Sequence, residues 1–143
     1  MTEQPLGKIR PFKAQDIDRI LEIERQAYPK TAFTRNMLLS YHVCWPDTFV
    51  VVVSEQEIVG YIIFDLTGHI YSMAVEPCYR RRGYGKMLFD YALQAADQRL
   101  WLEVRSKNRG AIDFYLKMGM IVVDIVKKYY GDDNALVMVF AKA

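Results

Sequence analysis

The stretch Arg80-Arg81-Arg82-Gly83-Tyr84-Gly85 joins a predicted strand to a predicted helix. An apolar run at 70–75 and a Glu-Pro turn precede it, and apolar residues at helical spacing follow it from Met87 to Ala95. The first turn of a helix carries free N–H groups and a partial positive charge. Glycines let a ligand approach the backbone closely, and arginines add cationic donors. This order of elements therefore predicts a cradle for a phosphate group.

Two common phosphate-binding patterns do not fit this loop. The P-loop needs Ser or Thr directly after Gly-Lys, but Met87 follows Gly85-Lys86. The dinucleotide pattern needs a third glycine where Leu88 stands. A solvated basic turn that caps a helix remains the alternative interpretation of the residues alone.

The pattern [RQ]-x-x-G-x-G/A, met at Arg80, Gly83 and Gly85, resembles the acetyl-CoA loop of the GCN5-related N-acetyltransferases (GNAT). The resemblance implies that the loop amides hold the pyrophosphate of coenzyme A. It also implies that the backbone before the loop pairs with the pantetheine arm like an added strand. The expected cofactor-binding residues are Met73, Ala74, Val75, Arg80, Arg81, Arg82, Gly83, Tyr84, Gly85, Lys86, Asn108 and Tyr115.

Length and charge limit the classes of protein that fit. The 143 residues suggest one domain, 1–143, and the net charge of +2 is too small to indicate nucleic acid or a membrane surface as a partner. The start of the chain lacks a secretory signal pattern, no apolar run is long enough for a membrane span, and the two cysteines fit free thiols, so we expect a cytoplasmic protein. His42 and His69 lie far apart in sequence, and no metal-binding spacing is present.

Apolar periodicity predicts an α/β fold with a mixed central sheet of about seven strands and about four helices. An early antiparallel meander should meet a parallel pair near the basic loop, where the resemblance implies a splay. Residues 1–7 should form a loose end. The predicted strands are 8–12, 48–54, 58–66, 69–75, 100–105, 120–129 and 135–140, and the predicted helices are 16–28, 35–41, 83–98 and 108–118.

A second motif begins at Trp101-Leu102-Glu103-Val104-Arg105. A glutamate within an apolar strand is costly to bury unless it pairs or faces a polar cavity. Beside a basic cofactor loop, Glu103 is a candidate general base. Without that context, a structural ion pair is the more common role of such a residue.

The residues that follow, Arg105-x-x-Asn108-x-x-Ala111-x-x-x-Tyr115-x-x-x-Gly119, resemble the second acetyl-CoA motif of the same family. The resemblance is closest to the ribosomal-protein-alanine N-α-acetyltransferases, although Met120 replaces their usual Phe. It implies that Glu103 is the base, that Tyr115 protonates the departing thiolate, and that Asn108 binds the pantetheine arm. Transfer would be direct, within one ternary complex, from acetyl-CoA to a primary amine, leaving coenzyme A as the product, with no metal.

Aromatic residues suggest where the acceptor binds. Tyr129-Tyr130 and Tyr28-Pro29 resemble the segments that face a substrate peptide in N-terminal acetyltransferases, and Tyr71 on a central strand could assist deprotonation. These five residues predict a groove for a protein N-terminus, for example that of a ribosomal protein. A small amine such as a polyamine, or a non-catalytic acetyl-CoA-binding module, remains an alternative. We expect a monomer or a weak homodimer.

Overall fold

A computed structural model describes residues 7–141, so most of the predicted loose start lies outside the described residues. Seven strands and four α-helices form within this range, as predicted. The strands are β1 (Gly7–Pro11), β2 (Phe49–Ser54), β3 (Glu57–Phe64), β4 (Ile70–Val75), β5 (Arg99–Arg105), β6 (Ile121–Val126) and β7 (Ala135–Ala141), and the helices are α1 (Ile17–Ala27), α2 (Arg35–Cys44), α3 (Tyr84–Ala95) and α4 (Arg109–Lys117).

Two elements end earlier than the apolar pattern predicts, because the backbone turns left-handed. Helix α3 stops at Ala95, and Asp97 and Gln98 follow with φ values of 55° and 64°. Strand β6 stops at Val126, and Lys128 has a φ of 54°. Extended and helical backbone both need negative φ, so neither element can continue through these residues.

The strands form two antiparallel sheets, in the orders β1-β2-β3-β4 and β5-β7-β6. The predicted parallel pair is reduced to one bridge between His69 and Trp101, where the Trp101 N–H donates to the Gly68 carbonyl at 2.9 Å. Gly68 has a φ of 92°, and a Cβ there would lie 1.9 Å from the Arg99 carbonyl oxygen. The close approach at the bridge therefore requires a glycine. Beyond it β4 and β5 diverge, which is the predicted splay.

The first sheet has a core on each face, as the apolar run in β2 predicts. Val50 and Val52 pack into the cluster that includes α3 and α4. Phe49 and Val51 pack into the cluster formed with α1 and α2. The helices thus pack on both faces of the first sheet. This packing holds β3 and β4 in position where the two sheets diverge. Within residues 7–141, no helix has the length and apolar character that crossing a membrane requires.

Candidate active site

The edge of β4 that faces the splay carries backbone carbonyls available to a ligand. Its other edge pairs with β3, while beyond the bridge no strand among residues 7–141 pairs with the facing edge. The carbonyl of Met73 accepts a hydrogen bond from the Tyr28 hydroxyl at 2.6 Å, and that of Val75 accepts one from Arg80 Nε at 3.2 Å. The side chains of Tyr28 and Arg80 thus donate to the same carbonyls that would accept from the amide N–H groups of an extended ligand added as a strand. The contact of Met73, Ala74 and Val75 with a pantetheine arm stays a prediction.

The basic loop turns sharply into α3. Gly83 is the residue that precedes the helix, with a φ of 91°, and Arg81 has a φ of 64°. Arg82 lies over the Tyr79 ring, with its guanidinium carbon 5.3 Å from the ring centre. Arg81 and Arg82 are exposed. The helix N-terminus and these two cations form a surface suited to a pyrophosphate.

The side chains of the loop's remaining predicted residues have other roles or partners. The Tyr84 hydroxyl is buried and donates to Ser54 Oγ at 2.8 Å, and Lys86 Nζ lies 2.5 Å from Asp90. A Cβ at Gly85 would lie 3.1 Å from the Phe114 ring, so a glycine there lets α3 pack closely on α4. The first-turn N–H groups remain the parts of Tyr84, Gly85 and Lys86 that can meet a phosphate.

Glu103 pairs with a histidine rather than with an arginine. His69 Nε2 lies 2.7 Å from Glu103 Oε1, and both side chains are less than one-fifth exposed. Because a carboxylate only accepts hydrogen bonds, the imidazole N–H is the donor. The His69 ring stacks on Trp101 at 3.9 Å between ring centres, which fixes its orientation. The second carboxylate oxygen, Oε2, forms no hydrogen bond within residues 7–141 and can accept a proton.

Tyr115 lies on α4 and is buried. Burial, with smaller effects from the nearby hydroxyls of Tyr28 and Tyr130, raises its pKa well above the ordinary value. The hydroxyl therefore keeps its proton at neutral pH. Asn108 precedes α4, and its Oδ1 accepts a hydrogen bond from the Ala111 N–H at 3.2 Å. Its Nδ2 makes no hydrogen bond to the described residues and remains available to a ligand.

Three of the four predicted acceptor tyrosines, Tyr71, Tyr129 and Tyr130, lie close enough to Glu103 for its charge to affect their hydroxyls. The carboxylate raises the pKa of Tyr71, Tyr129 and Tyr130, with burial the largest cause for each. The Tyr129 and Tyr130 rings meet edge to face at 4.8 Å, and the Arg105 guanidinium carbon lies 4.5 Å from the Tyr130 ring centre. Tyr129 is about half exposed, so its ring is the one that an acceptor can reach.

Two of the predicted acceptor residues have partners of their own. The Tyr71 hydroxyl donates to Asp65 Oδ2 at 2.7 Å, and burial and that carboxylate raise its pKa to about 12. A tyrosine with this pKa is not a base at neutral pH. Tyr28 is held by its bond to Met73, and the adjacent Pro29 is exposed.

A buried carboxylate fixes the segment that carries Tyr28. Glu24 on α1 is 1% exposed and accepts hydrogen bonds from the Tyr61 hydroxyl, from Ser72 Oγ at 2.7 Å and from the Phe33 N–H at 2.9 Å. These bonds join α1 to β3, β4 and the loop after Tyr28. Burying a carboxylate is costly unless its oxygens accept hydrogen bonds, as those of Glu24 do. The loop is thereby positioned against the splay.

The sequence shows little of the roles of His69 and Glu24. His69 directly precedes β4 and stands two residues before Tyr71, so alternation places both side chains on one face, but its contact with Glu103 depends on the bridge between the two sheets. Glu24 fits the apolar face of α1 by spacing, and its three donors come from distant segments. A buried glutamate at an apolar position of a helix is the signal that predicts such a polar cluster.

An open strand edge and a helix N-terminus with cations beside it fit an acyl-CoA-dependent transferase. The family model for the acetyltransferase (GNAT) family matches residues 17–120. The chain therefore belongs to the GNAT acetyltransferases, and it is an N-acetyltransferase that uses acetyl-CoA.

Relatives extend over most of the chain. An uncharacterized N-acetyltransferase of Methanocaldococcus jannaschii is 35% identical over 94% of this chain and 91% of its own length. A putative [ribosomal protein bS18]-alanine N-acetyltransferase of Bacillus subtilis is 31% identical, over 91% of this chain and 92% of its own. The crystal structure of Ard1 from Thermoplasma volcanium has a TM-score of 0.85 at 32% identity, covering 96% of this chain and 99% of that one.

Proposed function

We propose that this enzyme acetylates the α-amine of a protein N-terminus, with a ribosomal protein as the candidate acceptor. The observation that carries the proposal is the His69–Glu103 pair, 2.7 Å apart, among the tyrosines that line the splay. An α-amine has a pKa of about 8, so much of it is protonated at neutral pH, whereas attack on a thioester needs the neutral form. A carboxylate at the inner end of a groove supplies the base that such an acceptor needs.

Each step of the transfer has a candidate residue. Glu103 accepts a proton from the ammonium group, directly or through a water, while His69 holds the carboxylate in place. The neutral amine attacks the acetyl carbonyl carbon, an N–C bond forms and the C–S bond breaks. Tyr115 donates its proton to the departing sulfur, and the second proton that the nitrogen loses as the amide forms passes through solvent to reprotonate Tyr115. No covalent enzyme intermediate is needed, and both cysteines are exposed and free.

The residues present fit acetyl-CoA. The pyrophosphate would lie on the first-turn amides of α3 between Arg81 and Arg82, and the pantetheine arm along the carbonyls of Met73 and Val75. Tyr28 and Arg80 would then share or yield those carbonyls. Within residues 7–141, no three His, Cys, Asp or Glu side chains converge in a way that would hold a metal ion.

The acceptor groove lies between Tyr28-Pro29 on one side and Tyr129-Tyr130 on the other. The hydroxyl of Tyr130 contributes to raising the pKa of Tyr28, which supports their facing each other. The relatives named for [ribosomal protein bS18]-alanine acetylation make an alanine N-terminus the first candidate.

Thiol release from acetyl-CoA, measured against short peptides that differ in their first residue, tests this proposal. Polyamines and a peptide with a blocked N-terminus and an internal lysine serve as comparisons. We expect turnover with free N-termini and a preference for particular first residues. Turnover only with polyamines would show that the acceptor is a small amine rather than a protein N-terminus. Acetyl-CoA binding without turnover on any of these amines would contradict the proposed acetyl transfer.

A further inference from the structure

The turn between β3 and β4 is closed by the side chain of Asp65. Its Oδ1 accepts hydrogen bonds from the Thr67 N–H at 2.9 Å, from the Thr67 hydroxyl and from the His69 N–H at 3.2 Å. The Asp65 N–H in turn donates to the His69 carbonyl at 3.1 Å. An aspartate whose side chain accepts from the N–H two residues further on is a common device in tight turns. The carboxylate therefore fixes the backbone of His69, the residue whose ring holds Glu103.

The second oxygen of Asp65 holds an aromatic ring beside the imidazole. Its Oδ2 accepts a hydrogen bond from the Tyr71 hydroxyl at 2.7 Å. The ring centre of Tyr71 lies 4.4 Å from that of His69, whose ring also stacks on Trp101. One carboxylate thus constrains both the backbone of His69 and a ring that contacts its imidazole.

Asp65 is ionised at neutral pH. Burial alone would raise its pKa, but hydrogen bonds from Thr67, Tyr71 and the His69 N–H outweigh burial and lower the pKa. Within residues 7–141 the carboxylate forms no ion pair, and the hydrogen bonds to its side chain come from residues 67–71. Its contacts therefore stabilise the turn and the start of β4 rather than joining distant charged groups.

We propose that Asp65 is a positioning residue for the base, because it holds His69 where the imidazole hydrogen-bonds to Glu103. The turn that Asp65 closes is also where the two sheets meet, since the Trp101 N–H donates to the Gly68 carbonyl at 2.9 Å. The turn thus determines where His69 stands relative to Glu103 on the other sheet. The inference rests on the proposed function, in which Glu103 accepts the proton of the acceptor amine.

Proton transfer is sensitive to the position of the base. The base must reach the amine, or a bridging water, at about 2.6–3.2 Å, and a misplacement of about 1 Å can cost about a hundredfold in rate. The hydrogen bond to His69 is the one that the Glu103 side chain forms within residues 7–141, so its orientation depends on that imidazole. Loosening the imidazole should slow proton transfer and leave the binding of both substrates little changed.

Steady-state kinetics of Asp65→Ala test the proposal. We expect kcat to fall about tenfold near pH 7, with both KM values changed less than about twofold. The loss should shrink above roughly pH 8, where the acceptor amine is already neutral. Thr67→Ala, at an exposed residue, removes another partner of the same carboxylate and should keep the wild-type rate. A wild-type kcat for Asp65→Ala, or a loss that stays constant with pH, overturns the proposal.

The same substitution in a Glu103→Gln enzyme separates positioning of the base from a general effect on the fold. Because Asp65 acts through Glu103, Asp65→Ala should lower the residual rate of that enzyme less than about twofold. An equal loss in both backgrounds overturns the proposal. If Glu103→Gln alone leaves turnover unchanged, the proposed base fails and this inference fails with it. If Glu103→Gln is slow and Asp65→Ala is not, only the role of Asp65 fails.

Circular dichroism and acetyl-CoA binding establish that each variant is folded. Asp65→Asn keeps an acceptor oxygen in the same place and should retain more of the rate than Asp65→Ala. If Asp65→Ala does not fold, Tyr71→Phe takes its place in both backgrounds, because it removes one hydrogen bond to Asp65 and keeps the ring. We expect its kcat to fall about threefold, and only when Glu103 is present. An unchanged kcat for Tyr71→Phe would then overturn the proposal.

Discussion

Glu103 is the residue on which the proposed chemistry depends, because its Oε2 forms no hydrogen bond within residues 7–141. We expect Glu103→Gln to lower kcat by about 10²-fold or more near pH 7 while acetyl-CoA affinity stays unchanged. The loss should shrink above roughly pH 8, where the acceptor amine is already neutral. Steady-state rates from pH 6 to 9 and calorimetry measure the two effects.

Glu22→Gln, at an exposed position on α1, is the matched control and should behave like wild type. A Glu103→Gln enzyme with a wild-type rate at every pH would make the His69–Glu103 pair purely structural.

Tyr129 is the exposed ring of the acceptor groove. We expect Tyr129→Ala to raise the KM for peptide about fivefold, which is the ~1 kcal/mol that an aromatic contact contributes. The KM for acetyl-CoA should change much less, since that ligand lies across the splay. Tyr91→Ala, an exposed tyrosine on α3, is the comparison. Equal increases in both KM values would instead indicate a packing role.

At the scale of elements, the loop before α3 is the proposed site of cofactor binding. We expect Gly83→Glu to weaken acetyl-CoA binding by at least about a hundredfold, because a carboxylate would face the pyrophosphate and like charges in contact cost several kcal/mol. Gly83→Ala introduces the same left-handed strain, at a φ of 91°, without the charge, and should retain much more affinity. Unchanged affinity of Gly83→Glu by calorimetry would disprove the cradle.

The start of α1 is stabilised by an ion pair that should depend on pH. Asp16 is buried, and burial alone would raise its pKa, but hydrogen bonds from Arg10 at 2.7 Å and the Lys13 N–H at 2.8 Å outweigh this and lower the pKa. A lowered folded-state pKa means that the stabilisation is present above the unfolded pKa of about 3.9 and is lost as pH falls through the folded value.

We therefore expect Asp16→Asn to cost about 1–2 kcal/mol of unfolding free energy at pH 7, after allowance for the one-third exposure of Arg10. Urea denaturation should show the gap to wild type closing in strong acid. Asp18→Asn, in an exposed pair with Arg35, should cost about 0.5 kcal/mol or less. A gap for Asp16→Asn that is constant with pH would contradict the ion-pair account.

Local patterns predict most of the elements, because periodicity and turn residues act within a few positions. Gly119, for instance, follows α4 with a φ of 101°, as a helix-ending glycine should. The patterns do not predict the short turns after α3 and β6, where non-glycine residues adopt positive φ. They also miss the His69–Glu103 pair, because its two residues are 34 positions apart and meet only across two sheets.

At the scale of the whole molecule, the division into two sheets creates the site. The sheets touch at one bridge, and their divergence exposes the β4 edge to the cofactor while leaving Glu103 on β5 at its base. A continuous seven-stranded sheet would fill that edge with strand pairing. The single-domain boundaries, 1–143, and the cytoplasmic location stay predictions from sequence.

The measurement that tests the central claim most directly is the position of the acetyl group on one product. A peptide with a free N-terminal alanine and an internal lysine offers both amines to the enzyme at equal concentration. The account predicts that fragmentation mass spectrometry finds the acetyl group on the α-amine, because the ε-amine has a pKa of about 10.4 and demands more of the same base. Acetylation mainly on the lysine would contradict it.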